Sequence, residues 1–352
     1  MFILTGSLFL LLFGCLFSPN YSLSFLIWIA ADNNLESHVE KDLGEAEGNL
    51  SWINVFAMVD YASSTDTLYR IEDIVVPLKT FNEINSGDPE ALKQFLLEYS
   101  LPYTFLVIWN HGFWWRGESV SKTSSKGIAY DETDGDFLTI NEIKDVLKSH
   151  PVTVLGFDAC IMGTFEILWE LKNVAKYIIA SSEEIPVDGW DYAPLRYSSS
   201  VRDLMRKLVE AYKETYGTNV SLSVWDTSKL EDVMYWLNKI ADYMIENDIS
   251  PWSFEFKRRS IGGKEIELVE LDSFAESFVN STDSTLSSYG TNLYNAIFSA
   301  RVYGTPEDSF DLLIYFPLDS SNFDYWEDFS ALSDFIRDSA WDDLLEHWRG
   351  RN

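Results

Sequence analysis

The sequence predicts an α/β protein with a mostly parallel central sheet and helices on both faces. Two observations carry the prediction. Fully apolar runs of strand length recur along the chain, at 25–31, 52–59, 103–109 and 152–157, and strands buried on both faces read in this way. Amphipathic segments of helical length alternate with them, the pattern of strand–helix–strand units. A third observation places chemistry on that frame. His111 and Cys160 stand just beyond two of the apolar runs, and ligands of such sheets bind beyond the carboxyl ends of the strands.

The elements follow in order. Phe25–Ala31 is the first strand, broken by Asp32-Asn33-Asn34, and Leu35–Gly48 reads as a helix with charges over one face. Trp52–Val59 is the second strand and Leu68–Val76 a looser, partly alternating one. Asp88 caps a helix that runs to Tyr99, with Pro89 in its first turn. Tyr103–Trp109 is followed by Thr139-Ile140-Asn141-Glu142, a capping box that opens a helix to Ser149. Then come Val152–Phe157, a helix over Met162–Lys172 and a strand at Tyr177–Ala180. The pattern continues with helices at Arg202–Tyr216 and Lys229–Glu246 around a strand at Ser221–Trp225. Helices are expected over 263–280 and 290–301, a strand at Phe310–Phe316, and closing helices within Tyr325–Trp348.

The chain divides into an N-terminal segment at 1–20, a catalytic core at 22–200 and an α/β part at 201–352 packed on that core as one continuous unit. Residues 2–17 are apolar, the length of a signal-peptide hydrophobic region and short for a membrane span. No basic leader precedes them, since the first Lys or Arg is Lys41. Leu12-Phe13-Gly14-Cys15 resembles a lipoprotein cleavage box, which would make Cys15 a lipid anchor and the protein secreted or surface-attached. An uncleaved anchor or a misassigned start reads nearly as well.

With 352 residues, 46% of them hydrophobic, the chain can bury a large core, and its net charge of −30 argues against nucleic-acid partners. That field favours basic ligands. Only Cys160 falls in the folded body, so no internal disulfide forms there. His38, His150 and His347 are isolated, without zinc spacing. Asp131–Asp136 fails the EF-hand spacing and reads better as a tight Asp134-Gly135 turn. Glu183-Glu184 reads as a paired-carboxylate site or, more commonly, a solvated loop.

An imidazole beside a thiol can take its proton and return it to a leaving amine. Gly112 lets the backbone approach a substrate, and the N–H groups of Gly112 and Cys160 would serve a developing oxyanion. A helix starting at Ile161 would also favour the thiolate. Asp158 shares a strand face with Cys160 and suits a cationic substrate side chain, although alone it reads as a turn or cap residue. Singly, Cys160 reads as a small buried hydrophobe. Jointly, His111 and Cys160 lie 49 positions apart, close to the roughly 50 of caspases.

The chain resembles the clostripain-type cysteine peptidases, relatives of caspases and gingipains. The matching pieces are Ala30–Glu36, Asn85–Pro89, Trp109–Gly112, Gly156–Gly163, Ala180–Glu184 with Gly189-Trp190, and Leu313–Pro317. The resemblance implies a caspase-like three-layer sandwich, a His111/Cys160 dyad without an obligatory third member, and endopeptidase cleavage of protein or peptide substrates after Arg or Lys. It implies that Asp158 and a second acid, Asp188 or the nearby Asp191, hold the basic side chain. It also implies self-cleavage within the polar 119–125 stretch or just beyond it, with Lys122 and Lys126 as candidates. Some members need calcium, which the acidic surface permits without locating it. Phe113-Trp114-Trp115 departs from the family pattern, and its rings are expected to narrow the groove or alter specificity while leaving the dyad untouched. A non-catalytic binder of basic peptides and another cysteine acyl hydrolase are the competing readings.

Overall fold

Strand β1 (Leu23–Ala31) is buried along its whole length, which only the middle of a sheet covered on both faces allows. The computed structural model describes residues 23–115, 127–217, 220–306, 310–321, 323 and 326–351. After β1 come α1 (Val39–Glu45), β2 (Ile53–Tyr61), β3 (Thr67–Ile71), β4 (Val75–Thr80), α2 (Pro89–Tyr99) and β5 (Thr104–Trp109). The hairpin β6 (Ile128–Asp131) and β7 (Asp136–Leu138) precedes α3 (Ile140–Ser149), β8 (Val152–Asp158), α4 (Phe165–Leu171) and β9 (Ala175–Ala180). Next are α5 (Val201–Tyr216), β10 (Leu222–Asp226) and α6 (Leu230–Glu246). They are followed by β11 (Arg258–Ile261), β12 (Lys264–Glu270), α7 (Leu271–Val279) and α8 (Ser284–Ala300). The chain closes with β13 (Arg301–Thr305), β14 (Leu313–Tyr315), α9 (Trp326–Ser330), α10 (Ser333–Asp338) and α11 (Trp341–Trp348).

Nine strands form the main sheet in the order β13-β10-β9-β8-β5-β1-β2-β3-β4. The inner five are parallel, and the two strands at each edge are antiparallel. Strand order reverses between β1 and β5, the place where such sheets open a crevice. Alternation splits the sheet into two cores. Leu26, Trp28, Leu106, Ile108, Leu155 and Phe157 face a cluster that continues through α2, α3 and α6 to Trp348. Phe25, Ile27, Val107 and Val154 face α1 and α5 through Leu43, Leu204 and Leu208.

The caps behave as expected. Asp88 accepts from the Glu90 N–H, and Thr139 with Glu142 forms the reciprocal capping box. Four expectations are corrected. Residues 264–270 are a strand, because Gly262 and Gly263 both adopt positive φ and turn β11 back onto β12. The helix expected from 162 begins at Phe165, capped by Thr164, because Ile161 turns left-handed with φ +54°. The looser run at 68–76 is two antiparallel edge strands, β3 and β4. The strand expected over 310–316 shrinks to β14.

Candidate active site

The sheet register brings His111 and Cys160 together. Trp109 on β5 pairs with Asp158 on β8, and each candidate lies two residues beyond its paired neighbour. The Asn110 N–H continues the ladder by donating to the Asp158 carbonyl at 3.2 Å. Adjacent strands run about 4.8 Å apart, so the two side chains leave the same rim as neighbours. Both line one cleft of about 220 Å³ with Asp158, Glu184, Val187 and Gly189. Gly112 has no room for a side chain: a Cβ there would stand 2.6 Å from the Cys160 carbonyl oxygen. The backbone carrying the two proposed oxyanion donors is therefore packed edge to edge.

The electrostatics are those of a resting state. Burial pushes the Cys160 thiol up to about 11. The Ile185 N–H pulls it down, Glu184 and Asp158 push it up, and the Gly112 N–H pulls it down. The Ile185 N–H lies 3.2 Å from Sγ. Burial lowers the His111 imidazole. Thiol and imidazole are both neutral near pH 7. The helix dipole expected at Ile161 is not there to help, since α4 starts past Thr164.

His111 Nε2 lies 2.9 Å from Asn34 Oδ1. With the Asn34 amide oriented so that Oδ1 faces the ring, Nε2 donates and Nδ1 is the basic atom of the neutral imidazole. Asn34 sits in the turn after β1, which the sequence marked as a strand break and as part of the matching piece Ala30–Glu36, without giving it a role. Asn33 braces that turn, its Nδ2 donating to the Ala30 and Tyr130 carbonyls.

Asp158 lines the cleft and is only 3% exposed. Its Oδ2 accepts from the Trp190 N–H at 3.0 Å and the Tyr192 O–H at 2.8 Å. Its Oδ1 is buried with no hydrogen-bond partner among the described residues. Burial pushes this carboxyl up to about 7; the Trp190 and Tyr192 bonds hold it down, Glu45 raises it and Lys41 lowers it. Gly189 closes over it with φ +64°, where a Cβ would lie 2.9 Å from Oδ2.

Asp188 is not brought to Asp158. Its carboxylate is held by His38 Nδ1 at 3.0 Å and Lys41 Nζ at 3.8 Å, while Val187 and Gly189 on either side line the cleft. Asp191 accepts from the Ala193 N–H instead. The acid beneath Asp158 is Asp42, which sequence reading missed. It is 1% exposed and accepts from Trp109 Nε1 at 2.7 Å. Burial pushes it up to about 8, with Asp158 adding to the rise. Only its place on the buried face of α1, with Val39 and Leu43, could have singled it out.

The rings after Gly112 do not narrow the cleft. Trp114 is buried with Phe113 stacked on it at 4.1 Å, and Trp115 packs on Tyr315 and Phe329. Glu183 and Glu184 part company: Glu183 pairs with Arg259 Nη1 at 2.6 Å, and Glu184 lines the cleft. Lys122 and Lys126 lie outside the described residues, as does the 1–22 segment with Cys15. No described helix is long and apolar enough to cross a membrane.

Known proteins match this frame. The family model described as the clostripain family matches residues 27–348. Clostripain of Hathewaya histolytica is 28% identical over 219 residues, half of this chain and 41% of that one; this chain thus spans about two-fifths of the length of that curated relative. A secreted C11 cysteine protease of Bacteroides thetaiotaomicron, solved with an irreversible peptide inhibitor, superposes with a TM-score of 0.72 at 19% identity, covering 92% of this chain and 99% of that one. An inactive zymogen C11 protease of Parabacteroides distasonis gives 0.69 at 18% identity, covering 92% and 98%. These two likenesses show the shared fold.

Proposed function

The chain belongs to the clostripain family of cysteine peptidases, and on that premise we propose that it is an endopeptidase cleaving after Arg or Lys, with Cys160 as nucleophile and His111 as its proton acceptor and donor. The observation that carries this is the β5–β8 register, which sets the two side chains side by side at the mouth of one cleft. Because thiol and imidazole rest neutral, the Cys160 proton passes to His111 Nδ1 as Sγ attacks the scissile carbonyl. Asn34 holds Nε2–H and steadies the imidazolium that results. The Gly112 and Cys160 N–H groups face the oxyanion. His111 then gives the proton to the leaving amine, and water releases the acyl group.

The unpartnered Oδ1 of Asp158 supports the basic preference. A buried acceptor without a donor is costly, and an incoming guanidinium or ammonium would satisfy it. Secretion, with or without an anchor at Cys15, and self-cleavage at Lys122 or Lys126 belong to the same reading. The test is Cys160→Ala. Hydrolysis of Arg- and Lys-amide reporter peptides should vanish, and the chain should stay uncut through 116–126. Unchanged turnover would end the proposal.

A further inference from the structure

We propose that Arg259 is a positioning residue for the nucleophile: through Glu183 it fixes the segment whose Ile185 main chain seats the Cys160 sulfur. The inference deepens the peptidase reading and rests on Cys160 being the nucleophile. Ile185 meets the sulfur twice, with its nitrogen 3.2 Å and its carbonyl oxygen 3.7 Å from Sγ. A hydrogen bond strengthens when its acceptor becomes charged, so the Ile185 N–H favours the thiolate that forms as the proton leaves. With α4 starting past Thr164, that support comes from this loop and not from a helix terminus.

The segment before Ile185 is tied down stepwise. The Gly163 N–H donates to the Ser181 carbonyl at 2.7 Å, and the Ile161 N–H donates to the Glu183 carbonyl at 2.9 Å. At Glu183 the tie passes to a side chain. Arg259 Nη1 lies 2.6 Å from Glu183 Oε1, while its Nη2 lies 3.0 Å from Asp311 Oδ1 and 3.4 Å from Glu270 Oε1. The guanidinium thus clamps the loop at Cys160 to the end of β12 and to the chain entering β14. That anchor returns to the nucleophile's own turn, because the Leu313 N–H at the start of β14 donates to the Gly163 carbonyl at 3.0 Å. The contacts close a ring that leaves Cys160 through Gly163 and comes back to it through Ile185.

Removing the guanidinium leaves Glu183, Glu270 and Asp311 facing one another, and like charges at such range repel. Glu183 is the most exposed of the three. It has room to swing out, and Ile185, two residues on, moves with it. The other ionisable groups that act on the thiol are His111, Asp158, Glu184 and Tyr212, and the variants below leave those four in place.

The test is alkylation of Cys160 by iodoacetamide in the full chain, read as a rate at pH 8 by peptide mapping. Arg259→Met and Glu183→Ala should each slow it about fourfold. Losing a bond to the thiolate costs about tenfold in ionisation, and the more basic thiolate regains part of that as nucleophilicity. Arg259→Lys, which keeps the charge and gives up the fork, should recover part of the rate. Lys144→Met breaks a buried ion pair elsewhere, with Glu170 and Asp334. It should lower the melting temperature without slowing alkylation, which separates positioning from loss of stability. If Arg259→Met fails to fold, Glu183→Ala decides. Parent-like alkylation in either folded variant, or an equal slowing in Lys144→Met, would overturn the proposal. Alkylation needs no substrate, so a parent that hydrolyses nothing would overturn the peptidase reading alone.

Discussion

Replacing Asp158 by Asn should convert a cleft that prefers a positive side chain into one that repels it. In the variant, the amide oxygen must take over the bonds from the Trp190 N–H and Tyr192 O–H. The amide NH2 then occupies the place of the unpartnered Oδ1 and meets the substrate's own N–H donors. Stranding one member of a buried charge pair costs about 3–5 kcal/mol. The cleft is open to solvent at its mouth, so the lower end applies. About 3 kcal/mol is roughly a hundredfold in kcat/KM. The assay compares peptides with Arg or its uncharged isostere citrulline before the scissile bond. The parent should favour Arg by about a hundredfold, and the variant by no more than a few-fold, with citrulline turnover little changed. The folded carboxyl sits at about 7, above its usual 3.8. The parent's preference should therefore fade as pH drops below about 7, while the variant's should not respond. The same sign guards against a folding artefact. A raised carboxyl penalises the fold above about pH 7 and ceases to as pH falls toward its unfolded value, so Asp158→Asn should be no less stable at pH 8. Equal losses on both peptides would refute the reasoning.

Three further outcomes are expected. Iodoacetamide labelling of substrate-free Cys160 should accelerate with pH toward about 11; a plateau reached by pH 5 would mean a stored thiolate–imidazolium pair. Asn34→Ala should lower kcat about tenfold with KM nearly constant, the worth of one hydrogen bond to an imidazolium. Asn34→Asp should keep turnover and move the acid limb of the pH–rate profile upward, and an unmoved limb would remove Asn34 from its positioning role. Arg259→Met should destabilise the fold by about 3 kcal/mol, because Glu270 and Asp311 lose their shared cation. It should also raise KM, since Arg259 anchors Glu183 beside the cleft; unchanged melting would show that the ion pairs there are solvated.

Much of the frame was legible because it is written locally. Continuous apolar runs marked β1, β2, β5 and β8, and the Asp88 and Thr139 caps marked their helices within a residue. His111 and Cys160 were legible because each stands just beyond an apolar run, and the parallel register of β5 and β8 then aligns them. What escaped was set by backbone sign or by distance in the chain. Gly262-Gly263 reversed a segment whose alternation resembled a helix face, and Ile161 delayed α4. Trp115 looks like groove furniture beside Gly112, but its partners Tyr315 and Phe329 lie far along the chain, and Trp114 is buried against its own neighbour Phe113. Asp188 was placed by spacing, yet His38 and Lys41, far earlier in the sequence, hold it. The 131–136 segment is the Asp134-Gly135 turn expected of it, with Gly135 at φ +67°.

The central claim is that Cys160 is the nucleophile of a site built for a basic side chain. Labelling with an arginine- or lysine-directed electrophile, followed by peptide mapping, tests it most directly. The account predicts one adduct, on Cys160, lost in His111→Ala and competed by Arg peptides. An adduct elsewhere, or equal labelling by a reagent with an acidic side chain, would contradict it.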